Sequence, residues 1–225
     1  MIMERVDTTI DDLVKREYTA ERSLAFEFVL KTLISGIEGL RKIHGRGIVH
    51  GDIHPGNVVL LRDGKVGFID FERSFHEDEA QFRPDTVFES GKAMQCYHTH
   101  WNMQGFRASF RDDIVRLMMV AGFMFNGPAW TLHCVGLSMS PILMMHFKLR
   151  DNFFHTVGRP DPVGSLSHLS EFRKERIWHY LVGAQVVSRA VSALNEKPHY
   201  ELILRYLRSA LELARPNKCT SCTIS

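Results

Sequence analysis

The 225-residue chain lacks most of the features that mark specialised classes of protein. It has 4 cysteines (Cys96, Cys134, Cys219 and Cys222), too few and too scattered for a dense disulfide framework, which points to a reducing compartment. Its formal charge is only +2, so a nucleic-acid-binding surface is not expected. No uninterrupted apolar run is long enough to cross a bilayer, and the stretch from Met1 does not read as a signal peptide. Internal repeats and low-complexity tracts are absent. What is present is an ordinary globular composition, 44 % hydrophobic and 24 % charged, on a chain long enough to bury a full core. One domain over residues 1–215 is expected, with 216–225 as a flexible tail.

The most informative stretch runs from His50 to Phe71 and reads HGDIHPGNVVLLRDGKVGFIDF. Asp52 is followed five residues later by Asn57, and Asp70 comes after two short apolar runs, Val58–Leu61 and Val66–Ile69. Asp63-Gly64 between those runs predicts a hairpin with a two-residue primed turn, since Gly supplies positive φ freely. A hairpin of that size returns Asp70 to the loop that holds Asp52 and Asn57. Two carboxylates and an amide oxygen then share one small volume. Such a set suits Mg²⁺ with a nucleotide phosphate, because Mg²⁺ takes hard oxygen ligands and only one or two protein carboxylates.

Around this stretch the pattern is mostly helical. Met1–Val6 reads as a short apolar strand, and Thr8 or Thr9 can cap a helix with Asp11 and Asp12 in its first turn. Thr19 reads as the next N-cap, opening a long helix in which Leu24, Phe28, Leu33, Ile37 and Leu40 recur near helical spacing until Gly45 and Gly47. Residues 72–109 show no periodicity, which is common in functional loops. Helices are expected over Arg111–Phe125, where Met side chains read as core filler, from Ser140-Pro141 onward, and over Glu171–Arg189 and His199–Ala214.

The order His-x-Asp-x-x-x-x-Asn, then Asp-Phe, resembles the protein-kinase catalytic pattern. The resemblance implies that Asp52 orients and deprotonates an acceptor hydroxyl, that Asn57 and Asp70 hold Mg²⁺, and that His50 braces the loop against Phe71. His54 stands at the catalytic position where Ser/Thr kinases usually carry Lys, Gly51 where many carry Arg, and Glu72 where the Asp-Phe-Gly glycine belongs. HGD-x-HPGN and IDFE also resemble aminoglycoside and choline kinases, which keeps a small-molecule acceptor in play.

Four further segments are similar to casein kinase I. They are MERVDTTIDDL (Met3–Leu13), GKAMQCYHTH (Gly91–His100), SFRDDIVRL (Ser109–Leu117) and KPHYELILRYLR (Lys197–Arg208). The implied fold is mainly α, a protein-kinase-like C-terminal lobe with a small β-hairpin at the catalytic loop. Most of the β-rich N-terminal lobe, with its glycine-rich loop and strand lysine, would then lie outside these residues. An upstream extension is expected to supply both, and without them ATP would be held weakly. ATP and Mg²⁺ are the implied cofactors and a protein the implied substrate. Met3 would be the gatekeeper, and the backbone of Glu4 and Val6 would meet adenine. Thr9 and Asp12 would lie near the ribose, with Val59 as the adenine floor and Ile69 beside the nucleotide. Asp113 would cap the catalytic loop from beneath through backbone N–H groups. The family's substrate-reading Arg is Met94 here, with Lys92 nearby. A pseudokinase used as a protein-interaction lobe is the other expectation.

Lesser signals have plainer readings. Cys222-Thr223-Ile224-Ser225 fits the prenylation form, with Cys219 as a palmitoylation candidate, so membrane anchoring of a cytoplasmic or nuclear protein is one expectation. A frayed polar tail is the other. Cys96, His98 and His100 alternate and could share a face toward a metal, although the resemblance gives the plainer account, activation-segment packing.

Overall fold

A computed structural model of the chain describes residues 6–22, 24–79, 97, 99, 102, 108–127, 166–190 and 196–215. Met3, Glu4, most of the 91–100 segment, the Ser140-Pro141 region and the cysteine-bearing tail lie outside them. The described part is mainly helical with small sheets.

Strand β1 (Val6–Thr9) runs directly into helix α1 (Ile10–Thr19). Thr9 is the cap, its Oγ1 accepting from the Asp12 N–H at 3.0 Å, which satisfies one of the unpaired amides of the first turn. Thr19 does not open the next helix as its sequence context suggests. Its hydroxyl donates to the Lys15 carbonyl at 2.8 Å and closes α1 instead. Glu21, at φ +54°, then reverses the chain. Helix α2 (Phe26–His44) starts behind Ala25 without a side-chain cap. Its register comes from burial: Phe26, Val29, Leu30, Leu33, Ile37, Leu40 and His44 form one continuous buried stripe. Full burial of each Leu or Ile contributes roughly 1.5–3 kcal/mol, more than a missing cap costs.

Short strands surround the His50–Phe71 stretch. Strand β2 (Ile48–Val49) leads into His50, and strands β3 (Val58–Leu61) and β4 (Val66–Phe68) form the expected hairpin. The turn differs from the primed two-residue type. Gly64 N–H donates to the Leu61 carbonyl and Leu61 N–H to the Lys65 carbonyl, both at 2.9 Å. Within the turn only Gly64 has positive φ, at +77°. A three-residue loop with a glycine bulge results, and the Asp63 carboxylate takes the Lys65 N–H at 3.0 Å. The hairpin is also not the only β element of substance. Strand β1 adds antiparallel to β3, giving the order β1-β3-β4, and β5 (Phe75–His76) pairs with β2.

Helix α3 (Phe110–Asn126) is the central strut: every residue from Phe110 to Phe125 is buried. Helices buried on all sides are normally apolar throughout. This one carries Arg111, Asp112, Asp113 and Arg116 in its first two turns, and Met118, Met119 and Met124 fill the apolar remainder. Helices α4 (Glu171–Arg189) and α5 (Tyr200–Ala214) pack closely on each other, α4 also meeting α3 and α5 meeting α2. Among the described residues no helix is long and apolar enough to cross a membrane.

Candidate phosphotransfer site

The candidate catalytic loop, from His50 to Asn57, is held by its neighbours on three sides. From within, the His50 ring links its ends: Asp52 N–H donates to Nδ1 at 3.3 Å, and Nε2–H donates to the Ile69 carbonyl at 3.1 Å. The same ring lies 4.6 Å from the Phe71 ring. Across the hairpin, Val58 pairs with Phe68, and the Ile69 N–H donates to the Asn57 carbonyl at 3.1 Å. The backbone between Asn57 and Asp70 therefore doubles back, and Asp70 follows the residue bonded to Asn57. Asn57 is buried and spends its amide N–H on the Asp52 carbonyl at 3.0 Å, leaving Oδ1 as its acceptor end. Asp70 is exposed with φ +61°, a left-handed conformation that costs a non-glycine residue about 1–3 kcal/mol and collects at functional sites. The strain sits on Asp70 and not on Glu72, which lies in a turn closed by the Ser74 N–H to Phe71 carbonyl bond at 3.0 Å.

From beneath, Asp113 on α3 accepts the N–H of His50 at 2.7 Å on Oδ2 and that of Gly51 at 3.0 Å on Oδ1. His44 Nε2–H donates to Oδ2 at 3.1 Å, and the Tyr200 hydroxyl donates to His44 Nδ1 at 2.5 Å. Burial alone would raise the Asp113 pKa. The His44 hydrogen bond and the pull of His44, His50 and Arg116 outweigh it and hold the carboxyl below its ordinary value. Burial pushes the Tyr200 phenol well up, so it stays protonated as the donor. Arg116, fully buried, donates from Nη1 to the Gly51 carbonyl at 2.5 Å and from Nη2 to Asn102 Oδ1 at 2.9 Å. Asp112 has separate duties, accepting from the Ser109 N–H at 2.9 Å in a capping box and from the Thr99 hydroxyl at 2.5 Å.

The third hold is backbone against backbone. Gly51 has φ +79°, and a Cβ there would stand 2.7 Å from the Arg73 carbonyl oxygen. Neither the conformation nor the space admits a side chain, so the arginine common at this position in kinases has no room. Gly51→Ala is expected to lower unfolding free energy by about 2–4 kcal/mol, the sum of φ strain and overpacking. Urea unfolding measures this; an unshifted midpoint would show that the Gly51–Arg73 approach is loose.

Asp52 itself is buried, with its side chain only 9 % exposed. Two basic groups face its Oδ2: His54 Nε2 at 4.0 Å and Arg73 Nε at 3.8 Å. Burial lowers the His54 pKa, opposed by the Asp52 charge and, more weakly, by those of Asp70 and Asp11. Both candidate site carboxylates, Asp52 and Asp70, thus lie within electrostatic reach of one imidazole. Gly56 N–H donates to His54 Nδ1 at 3.2 Å, which assigns the proton of the neutral ring to Nε2 on the Asp52 side.

The residues expected around the nucleotide are placed less uniformly. Val6 pairs with Leu61 in the sheet. Thr9 and Asp12 engage each other as helix cap and first-turn partner, the Thr9 hydroxyl donating to Asp12 Oδ2 at 2.7 Å. They still adjoin the loop, because the Asp11 N–H donates to the Pro55 carbonyl at 3.1 Å. Val59 is buried at 1 % exposure and Ile69 is 38 % exposed, so of the two only Ile69 offers surface to a ligand. His44, Arg116, Tyr200 and Arg73 were not expected from sequence. His44 had a signal, standing four residues beyond Leu40 on the apolar stripe, and Arg116 is a lone cation in the apolar run after Asp113.

Among the described residues no group of three or more His, Cys, Asp or Glu side chains could hold a metal ion. Asn57 Oδ1 and the Asp70 carboxylate, carried on backbone joined by the Ile69 N–H to Asn57 carbonyl bond, would supply two oxygen donors. That fits Mg²⁺, which completes its shell with phosphate oxygens and water.

The comparisons with known proteins agree with this geometry. Residues 11–81 match the model of the phosphotransferase enzyme family APH. The KEOPS complex subunit Bud32 of Pyrococcus abyssi is 38 % identical over 73 residues, 32 % of this chain and 33 % of that protein. The chloroplastic serine/threonine-protein kinase STN8 of Arabidopsis thaliana is 40 % identical over 55 residues, 24 % of this chain and 10 % of its own length. The dual specificity mitogen-activated protein kinase kinase sek-1 of Caenorhabditis elegans is 33 % identical over 75 residues, 33 % of this chain and 22 % of its own. The matches thus span a tenth to a third of these relatives. None of them singles out casein kinase I. Over residues 11–81, which carry this loop and its hairpin, the chain is similar to kinase-like phosphotransferase domains.

Proposed function

We propose that this chain transfers the γ-phosphoryl group of ATP to a Ser or Thr hydroxyl of a protein, as a casein-kinase-I-like kinase. The observation that carries the reading is the Ile69 N–H to Asn57 carbonyl bond. It sets Asp70 against the loop bearing Asn57 and Asp52. Asp52, held by the His50 ring and by Asp113 beneath, orients the acceptor hydroxyl and takes its proton. Asn57 and Asp70 would hold Mg²⁺, which would neutralise phosphate charge during transfer. The remaining contribution of the protein is positioning, to which phosphoryl transfer responds strongly. The casein-kinase-I-like reading draws support from the meeting of two similar segments: Tyr200 of KPHY reaches Asp113 of FRDD through His44.

A small-molecule acceptor is the second reading, favoured by the APH match over residues 11–81. Incubating the full chain with Mg²⁺ and γ-labelled ATP, with casein-like peptides, aminoalcohols and aminoglycosides in parallel, separates the two. Label on peptide Ser or Thr is expected. Label confined to small molecules selects the second reading, and nucleotide binding without transfer to either indicates a pseudokinase.

A further inference from the structure

Asp52 is flanked by two basic side chains of unequal character. The family-resembling position, His54, is an imidazole whose Nδ1 accepts the Gly56 N–H, the arrangement of a neutral ring. Arg73 presents a planar guanidinium whose fork of donors matches phosphate oxygens. Three features place it. Pairing of Val49 with Phe75 brings the chain after Asp70 back along the catalytic loop. The turn from Phe71 to Ser74 points residue 73 at that loop. Gly51, lacking a Cβ, lets the Arg73 backbone approach. The side chain is 50 % exposed, with Nε toward Asp52 at 3.8 Å. Among the described residues neither Nη1 nor Nη2 has a hydrogen-bond partner, and the half-exposed side chain leaves both with donors to offer.

We propose that Arg73 is a catalytic residue that binds the transferring phosphoryl group, supplying from the turn after Asp70 the positive charge that other kinases place at the position of His54. The inference rests on the phosphotransfer reading above. In the step, the acceptor oxygen forms its bond to the γ-phosphorus and its proton passes to Asp52. The bond from the γ-phosphorus to the bridging oxygen breaks, and its electron pair leaves with ADP. Arg73 Nη groups hold equatorial oxygens throughout and exchange no proton. Their donors match the planar phosphoryl group better than the ground-state phosphate, so the interaction strengthens as transfer proceeds.

The alternative is a surface ion pair that serves Asp52 alone, and such exposed pairs contribute little. Binding separates the two without reference to turnover. Arg73→Ala is expected to weaken the affinity for Mg²⁺–ADP–aluminium fluoride, a planar mimic of the transferring group, by roughly 10²-fold. Affinity for a non-hydrolysable ATP analogue should change by no more than about threefold. Adding His54→Lys to Arg73→Ala should restore at least a tenth of the lost fluoride-complex affinity and of kcat. Equal losses for both ligands, no loss for either, or no rescue by lysine at position 54 overturns the role given to Arg73. Wild-type chain that neither transfers phosphate nor binds the fluoride complex overturns the phosphotransfer reading itself, and the inference with it.

Discussion

Asp113→Ala should destabilise the fold by about 3–5 kcal/mol, the largest loss expected from any single side chain outside the apolar core. The carboxylate is completely buried and receives hydrogen bonds from the His50 N–H, the Gly51 N–H and His44. Removing it strands the buried His50 N–H and the part-buried Gly51 N–H, a buried donor costing about 1–3 kcal/mol when left unpaired, and deprives Arg116 of a compensating charge. Asp113→Asn keeps one acceptor but turns an NH₂ toward a remaining donor, so it should recover at most part of the loss. Tyr200→Phe removes only the outermost link and should cost about 1 kcal/mol. The pH dependence has a definite sign. The folded pKa of Asp113 lies below its unfolded value, so its share of stability is fully present above about pH 4 and is lost as pH falls through the lower folded value. Urea unfolding at neutral and acid pH measures both effects. A mutant as stable as the wild type at pH 7 would mean that the loop is held elsewhere.

Asp52→Asn should lower the rate of phosphoryl transfer by roughly 10²–10⁴-fold while leaving the fold intact. The side chain is nearly isosteric, and Asp52 makes its structural bonds through the backbone: its N–H to His50 and its carbonyl to Asn57. What the amide cannot do is accept the acceptor proton. Nucleotide affinity should change little, since Asp52 is not placed as a metal ligand. Transfer assays with matched thermal melts read this prediction. Equal rates in mutant and wild type would remove Asp52 from the chemistry.

Local spacing made the centre of the site legible. Asp52, Asn57, the Asp-Gly turn and Asp70 lie within a span of 19 residues, and a hairpin needs only nearby chain to form. Helix α4 was legible to both ends for the same reason. Where long-range contacts decide, sequence reading fell short. Thr19 has the composition of a cap, yet its hydroxyl closes the preceding helix because α2 takes its start from the buried stripe at Phe26. Strand β1 joins the hairpin across 50 residues, which no local pattern announces. Tyr200 reaches the catalytic loop through His44 across 156 residues, a distance at which only the folded chain juxtaposes them. Asp113 was legible only by resemblance, because a carboxylate in the first turn of a helix is ordinarily a solvated dipole partner.

On the proposed function, Asn57 and Asp70 would form, with nucleotide phosphates, one divalent-cation site beside Asp52. Titration of the full chain with ATP, with Mg²⁺ and with EDTA, tests it most directly. Binding that requires Mg²⁺ is expected, weakened on the order of tenfold or more in Asp70→Asn and in Asn57→Ala. Nucleotide binding of the same strength in EDTA, or unaltered by either substitution, would contradict it.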